Sequence, residues 1–214
     1  MARYRGPVCK LCRQEGVKLM LKGQKCLSAK CHFHPGKKRP RTYPPGEHGQ
    51  RRPSKVSDFG TQLRAKQKYR RVYGVLERQF RRYFKESARM RGVTGENLVQ
   101  LLERRLDNVM FRLGFALSRS HARQLVRHNH VLINGRRANI PSQLVKIGDE
   151  ISLPDKSREM PGIQEAVRLA ESMEPVPWIS RDGERMAGRL ERLPTLEEVQ
   201  PPASAQLIVE LYSK

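Results

Sequence analysis

The sequence predicts an α+β fold in which a cysteine-rich segment and a helical domain precede two helices packed on a small, mainly antiparallel sheet. Four cysteines fall within the first 31 of 214 residues. Apolar side chains then recur at helical spacing, and an Asn-Gly pair at 134–135 follows a short apolar run, as in a β-hairpin. We predict domains at 1–42, 43–95 and 96–194, with 195–214 as a candidate addition to the second.

The charge of the chain indicates a polyanionic partner. Lys and Arg total 43 against 21 Asp and Glu, a formal net charge of +22. Residues 1–95 hold 26 basic and 5 acidic side chains, whereas residues 138–214 hold 9 and 13. Such an excess exceeds what solubility requires, so nucleic acid is favoured over a solvated basic surface or a membrane surface.

Two classes of segment are excluded by the apolar pattern. No apolar run exceeds three residues, whereas a transmembrane helix needs about 20. The first ten residues contain no apolar core of the kind that a signal peptide has. We therefore expect a cytosolic protein without a membrane partner. We also expect no small-molecule substrate.

The cysteines are spaced as C-x2-C-x13-C-x4-C, at Cys9, Cys12, Cys26 and Cys31. Two closely spaced pairs suit one tetrahedral ion, and four thiolates leave no open position for catalysis. The spacing predicts a zinc knuckle with one structural zinc ion per chain. Disulfides, free thiols and an iron–sulfur cluster are the alternatives, and a cytosolic chain disfavours disulfides. His32 and His34 are adjacent and could replace a ligand.

Residues 35–53 are rich in Pro, Gly, Lys and Arg and show no helical or strand period. Pro44-Pro45-Gly46 predicts an extended segment followed by a turn. This composition fits a disordered linker and an extended arm on phosphates equally well. In the second interpretation Tyr43 and His48 stack on bases.

Two basic helices follow this segment. Ala65, Tyr69, Val72, Tyr73 and Leu76 form one apolar stripe, and Gly74 is expected to end the helix. A second stripe has four-residue spacing, at Leu76, Phe80, Phe84 and Ala88. Five cations project from the second helix within one arc: Arg78, Arg81, Arg82, Lys85 and Arg89. A one-sided row of cations could follow a phosphate backbone.

Residues 97–153 predict a compact module. One helix, capped by Thr94, carries an apolar stripe from Leu98 to Leu113 and ends at Gly114. Ser118 caps a second helix, Arg119 to His128, whose Arg119, Arg123 and Arg127 share one face. A strand at 131–133, the type I′ signal Asn134-Gly135 and a turn at Gly148-Asp149 follow. We expect Arg123→Glu to impair RNA binding without unfolding the module.

Residues 104–153 closely resemble the αL-type RNA-binding domain named after small-subunit ribosomal protein four. The matching motifs are Arg105-Leu106-Asp107, Arg112-Leu113-Gly114, Ser118-Arg119, Ala122-Arg123-Gln124-Leu125, His130-Val131, Asn134-Gly135, Pro141-Ser142 and Gly148-Asp149. The opening ARYRGPVCKLCRQEGVKLMLKG, the turn at 44–49 and the segments 57–68 and 73–81 resemble the bacterial ribosomal protein family as well.

This resemblance implies a structural constituent of the small ribosomal subunit that binds 16S ribosomal RNA and nucleates assembly of its 5′ domain. It also implies a place in the messenger entry region beside small-subunit proteins three and five, a role in translational accuracy and, as a further partner, messenger RNA. Family members with four cysteines carry zinc.

The residues predicted to bind RNA are mostly cations from the arm, the basic helices and the module. They are Arg3, Lys22, Tyr43, His48, Arg51, Arg52, Arg64, Lys66, Lys68, Arg70, Arg71, Arg78, Arg81, Arg82, Lys85, Arg112, Arg119, Arg123, Arg127, Arg136 and Arg137.

The last third carries little RNA signal. We predict a helix over 163–173, a core or interface role for Trp178, and a strand over 207–212 that closes a sheet. This end is expected to face protein or solvent.

An RNA-modifying enzyme, such as a pseudouridine synthase, and a free RNA-binding regulator are the rival classes. The enzyme class would use the aspartate of Arg-Leu-Asp, here Asp107. No phosphate loop, nucleophile elbow or catalytic metal cluster accompanies it. We therefore predict no catalytic residue and an ion-pairing or capping role for Asp107.

Overall fold

The chain forms two compact units in the computed structural model, which describes residues 3–51, 55–174 and 176–213. Met1–Leu98 and Pro201–Lys214 make the first unit, and Val99–Gln200 make the second. Among the described residues no helix is long and apolar enough to cross a membrane.

The first unit is mostly helical, whereas the second unit contains both helices and a five-stranded sheet. The helices are α1 (Val8–Glu15), α2 (Asp58–Val72), α3 (Glu77–Ser87), α4 (Thr94–Glu103), α5 (Leu106–Arg112), α6 (Arg119–Arg127), α7 (Asp155–Arg158), α8 (Pro161–Glu171), α9 (Leu196–Val199) and α10 (Gln206–Tyr212). The strands are β1 (Leu132–Ile133), β2 (Arg136–Arg137), β3 (Glu150–Ser152), β4 (Ile179–Asp182) and β5 (Ala187–Leu190). Short 3-10 turns lie at Gly23–Cys26 and Glu47–Gln50.

The first predicted basic helix is confirmed as α2. It begins earlier than its apolar stripe, because the Ser57 hydroxyl accepts a hydrogen bond from the Gly60 N–H and caps the helix. Ala65, Tyr69 and Tyr73 are buried as predicted. Gly74 has a φ of +63° and ends the helical run.

The second basic helix is α3, but its apolar stripe differs from the predicted one. Phe80 and Tyr83 are buried, whereas Leu76 and Ala88 are exposed. Positions spaced by four residues drift by about 40° per step around a helix, so the two ends of a four-residue stripe rotate away from a common face. The step of three from Phe80 to Tyr83 corrects this drift.

The C-terminal segment is the helix α10, so the strand predicted over 207–212 is wrong. Its Ile208 is fully buried, and it packs in the first unit with α2. The Tyr69 hydroxyl donates to the Ala203 carbonyl at 2.8 Å, and the Gln62 amide donates to Glu210 at 3.1 Å. The run is apolar at both odd and even positions, so periodicity alone did not separate the two structures.

The helix predicted from Thr94 to Gly114 is broken into two helices, α4 and α5. Its apolar stripe is buried as predicted, but the backbone is extended at Arg105, with φ −63° and ψ 135°. There the Leu106 N–H donates to Gln143 O at 2.9 Å, and the Val145 N–H donates to Arg104 O at 2.8 Å. The loop that supplies these partners is distant in sequence, which is why the break escaped prediction. Thr94 is the first residue of α4 rather than its cap.

The sheet is antiparallel, with strand order β2-β1-β3-β5-β4. Asn134 and Gly135 both have positive φ, 49° and 76°, which confirms the predicted hairpin turn. Gly188 of β5 lies close against Leu113, the residue that follows α5, since a Cβ there would be 2.2 Å from the Leu113 side chain. The hairpin of β4 and β5 was not predicted.

Two features of the last third agree with the sequence. The predicted helix over 163–173 is present as α8, which begins and ends two residues earlier. Trp178 is 2% exposed and belongs to the core.

We predict that Ile208→Ala destabilises the chain by about 2–5 kcal/mol, because it leaves a cavity in a fully buried position. Urea unfolding followed by helical circular dichroism measures the change. Ile147→Ala, the same substitution at a residue that is 56% exposed, is the control. Equal stability of the two variants would contradict the docked position of α10.

Candidate nucleic-acid interface

Five cations of α3 and its C-terminal end project into solvent as predicted. They are Arg78, Arg81, Arg82, Lys85 and Arg89, all of them exposed. The other side of the helix is fixed by the buried rings of Phe80 and Tyr83. The row is therefore held on a rigid support and is accessible to a phosphate backbone, while contact with RNA stays a prediction.

Two cations of α2 that the sequence predicts to bind RNA pair with the partly exposed carboxylate of Glu77. Glu77 Oε2 lies 3.0 Å from Lys66 Nζ and 2.9 Å from Arg70 Nη1. The Tyr212 hydroxyl donates to Glu77 Oε1 at 2.8 Å. Burial alone would raise the pKa of Glu77, but hydrogen bonds from Lys66 and Tyr212 and the nearby positive charges lower it. This cluster joins α2, α3 and α10.

A second carboxylate, Glu15, holds two further cations of α2. Its side chain is fully buried and forms ion pairs with Arg71 and, at 3.4 Å, with Arg64. Arg71 also donates to Leu11 O at 3.2 Å and to Gln14 Oε1 at 2.9 Å. The guanidinium of Arg71 therefore ties α2 to the cysteine-bearing helix α1.

The segment predicted as an extended arm is held by Arg13. Its Nε and Nη2 donate to Tyr43 O at 3.0 Å and to Pro44 O at 3.2 Å, and its Cζ lies 4.9 Å from the centroid of the Tyr43 ring. A Cβ on Gly49 would lie 1.9 Å from Pro44 O, so the turn requires glycine there. Tyr43 thus has an internal cationic partner. His48 is exposed.

The remaining predicted contacts of the first unit differ in exposure. Arg3, Lys22 and Arg51 are exposed, Lys68 is half-buried, and Arg52 lies outside the described residues.

The four cysteines belong to one local region. Cys9 and Cys12 lie three residues apart on α1, and Cys26 ends a 3-10 turn in which its Sγ accepts the Lys22 N–H at 3.3 Å. Burial raises the pKa of the Cys12 thiol, a hydrogen bond from the Leu19 N–H lowers it, and the other three cysteines raise it further. Across the described ranges, no three His, Cys, Asp or Glu side chains are arranged to hold a metal ion.

In the second unit, the carboxylate of Asp107 is held by two buried arginines. Arg105 donates to it through Nε at 3.0 Å and Nη2 at 2.6 Å, and Arg123 donates through Nη1 at 3.0 Å. The side chains of Arg105 and Asp107 are 2% and 5% exposed. The predicted ion-pairing role of Asp107 is confirmed. The expectation that Arg123→Glu would leave the module folded is not supported, because it would place two carboxylates together.

Glu103 and Asn108 hold two more arginines that the sequence assigned to RNA. Arg112 donates to Glu103 through Nε at 2.9 Å and Nη2 at 3.0 Å, and its Cζ lies 5.5 Å from the centroid of the Trp178 ring. Arg119 donates to Asn108 Oδ1 at 2.7 Å. Glu103 and Asn108 are both buried, although neither belongs to the apolar stripe that the sequence predicted.

The other three arginines predicted in the module, Arg127, Arg136 and Arg137, are exposed. Arg127 ends α6, and Arg136 and Arg137 form β2. The Arg119, Arg123 and Arg127 stripe of the sequence is therefore divided: its first two members are structural, and the last is available for phosphates.

We predict that Arg123→Glu lowers the free energy of unfolding by about 3–5 kcal/mol, the cost of breaking a buried ion pair. Arg127→Glu on the same helix is the matched control and should change stability by less than about 0.5 kcal/mol. Thermal and urea unfolding of both variants measure the difference. Similar stability of the two would show that Arg123 is not part of the buried cluster.

Comparison with known proteins agrees with this geometry. The family model "Ribosomal protein S4/S9 N-terminal domain" matches residues 3–103, and the model "S4 domain" matches residues 104–151. Proteins named small ribosomal subunit protein uS4 are 56% identical in Geobacter metallireducens, 54% in Trichlorobacter lovleyi and 52% in Natranaerobius thermophilus. Each alignment covers 100% of both chains. With its arginine-bearing module and full-length relatives, the chain belongs to the uS4 family of small ribosomal subunit proteins.

Proposed function

We propose that this chain is a structural protein of the small ribosomal subunit, in the cytoplasm, and binds 16S ribosomal RNA directly. The observation that supports the proposal is that the cations of the chain fall into a paired set and a solvent-exposed set. Carboxylates of the chain itself hold one set, and another set, on α3, α6 and the hairpin, faces solvent. Cations at fixed positions suit a folded RNA that is recognised by its shape and by the positions of its phosphates.

The finer assignments follow from the family. We propose that the chain nucleates assembly of the 5′ domain and contributes to the messenger entry region and to translational accuracy, beside small-subunit proteins three and five. Messenger RNA is proposed as a further partner. The acidic excess of residues 138–214 supports a protein neighbour for that part of the chain, because it suits basic surfaces and would repel RNA.

The geometry of Asp107 disfavours the rival enzyme. A catalytic aspartate must reach its substrate, whereas the carboxylate of Asp107 is buried and accepts hydrogen bonds from Arg105 and Arg123. We therefore propose a binding protein without a catalytic residue.

We also propose that Cys9, Cys12, Cys26 and Cys31 hold one structural zinc ion. Four thiols suit tetrahedral zinc in number and type, and the N–H of Lys22 donates to Cys26 Sγ, an outer hydrogen bond typical of such sites. A bound ion would supply a cross-link for a segment with few buried apolar side chains. Arg71 and Arg13 would connect that cross-link to α2 and to the arm.

We predict that binding to a 16S 5′-domain fragment weakens steeply with salt, because each phosphate contact releases counterions. The double variant Arg82→Gln with Lys85→Gln should lower the slope of log K against log salt by about 1.5–2. Filter binding over a salt series measures it. Lys156→Gln with Arg185→Gln, two exposed cations of the second unit, is the control.

A salt-independent affinity, or equal slopes for the two double variants, would contradict phosphate contact by α3. Failure of the unmodified chain to sediment with small subunits would contradict the ribosomal assignment itself.

We predict about one zinc ion per reduced chain by metal analysis, and its loss in Cys26→Ala. Ser28→Ala, a substitution in the same loop that removes no thiol, should keep the ion. A reduced chain without zinc, purified in its presence, would refute the metal proposal.

A further inference from the structure

The arginine hairpin, residues 132–137, is short and lies at the edge of the sheet. Its strands β1 and β2 have two residues each, pair as Leu132↔Arg137 and Ile133↔Arg136, and are extended by a hydrogen bond from the Ala138 N–H to Val131 O at 3.0 Å. β1 also pairs with β3, whereas β2 is an edge strand. The position of β2, which carries Arg136 and Arg137, therefore depends on β1 and on the turn that joins the two strands.

The turn of this hairpin is joined to the turn that precedes β3. Asn134 Nδ2 donates to Asp149 Oδ1 at 2.9 Å, and Asn134 Oδ1 accepts the Glu150 N–H at 2.9 Å. The backbone N–H of Asn134 donates to Glu150 O at 2.9 Å. Three hydrogen bonds thus connect the residue at the hairpin tip to the start of β3.

The second turn is itself held on both sides. Asp149 Oδ2 accepts the Lys146 N–H at 2.8 Å, which closes the turn. Gly148 donates to Leu190 O at 2.8 Å and accepts from Arg189 Nε at 2.9 Å, so the turn is joined to β5. A continuous chain of hydrogen bonds therefore runs from β5 through Asp149 to the tip of the hairpin.

We propose that Asp149 is a positioning residue for RNA binding: its carboxylate fixes the Asn134-Gly135 turn and thereby directs Arg136 and Arg137 toward RNA. This inference rests on the proposed RNA-binding function. We expect no contact between Asp149 and a phosphate, because both are negatively charged. By holding the turn, it lowers the conformational entropy that the strand β2 loses on binding.

Electrostatics and positioning predict opposite results for loss of this carboxylate. Removing a negative charge near two arginines should strengthen RNA binding if only long-range charge matters. Removing the two bonds that Asp149 accepts should weaken binding if the hairpin must be held in place. The sign of the change in affinity thus separates the two effects.

The test measures the affinity of the full chain for a 16S 5′-domain fragment in Asp149→Ala and Asn134→Gly. Glycine accepts the left-handed φ of residue 134, so the second variant removes side-chain bonds without changing charge. We expect affinity to fall about threefold to tenfold in both, with the salt slope and the melting temperature unchanged. Asp155→Ala, which removes a carboxylate that is 92% exposed, and Asn129→Gly, at φ +61°, are the controls and should keep full affinity.

The double variant Arg136→Gln with Arg137→Gln separates this inference from the proposed function. If it keeps full affinity, the hairpin does not bind RNA and the proposed contact fails. If it loses affinity and slope while Asp149→Ala keeps or gains affinity, the positioning role is overturned. The same conclusion follows if Asp149→Ala weakens binding only together with a lower melting temperature.

Discussion

Among the described residues, the buried acids Glu15, Glu103 and Asp107 each hold at least one arginine. Glu15 pairs with Arg71 and Arg64, and Asp107 with Arg105 and Arg123, while Glu103 holds Arg112 together with the Asn108 amide. The partly exposed Glu77 pairs with Lys66 and Arg70 in the same way. In a chain of net charge +22 these contacts decide which helices can approach one another. An acid shared by two cations screens the cations from each other, although Glu15 Oε2 is buried without a hydrogen-bond partner in the described part of the chain. Loss of the Asp107 carboxylate would leave the buried cations of Arg105 and Arg123 side by side.

This sharing also determines the binding surface. A buried cation that a carboxylate holds, such as Arg105 or Arg123, has little exposed surface, whereas the paired Arg64 keeps 46% of its side chain exposed. Exposed cations stand on α3, at the end of α6 and in β2. Ion pairs of Glu77 and Arg123 hold α3 and α6, and hydrogen bonds of Asn134 hold the turn before β2. The basic residues therefore fall into two groups: buried cations stabilise the fold, and exposed cations are accessible to RNA. A charged side chain on a rigid support loses less conformational entropy on binding than one on a mobile loop.

Short elements in this protein are held by their neighbours rather than by their own length. The turn at Gly148-Asp149 supports the hairpin of β1 and β2, and Arg71 and Arg64 join α2 to Glu15 of α1. The break between α4 and α5 has the same origin, because the loop at 143–145 supplies the hydrogen bonds that a continuous helix would have made. Polar contacts at these points position the residues of the proposed interface.

The sequence by itself determined the α+β class, the helices α2, α3, α6 and α8, and the turns at Gly74 and Asn134-Gly135. These follow from helical periodicity, capping and glycine conformations, which act over a few residues. Only the tertiary structure decided that α10 is a helix, that α4 and α5 are separate, and which cations face solvent. The physical reason is that ion-pair partners such as Glu15 and Arg71 are distant in sequence, so periodicity carries no information about them. A row of arginines has the same pattern whether it faces RNA or a buried carboxylate, and only packing distinguishes the two.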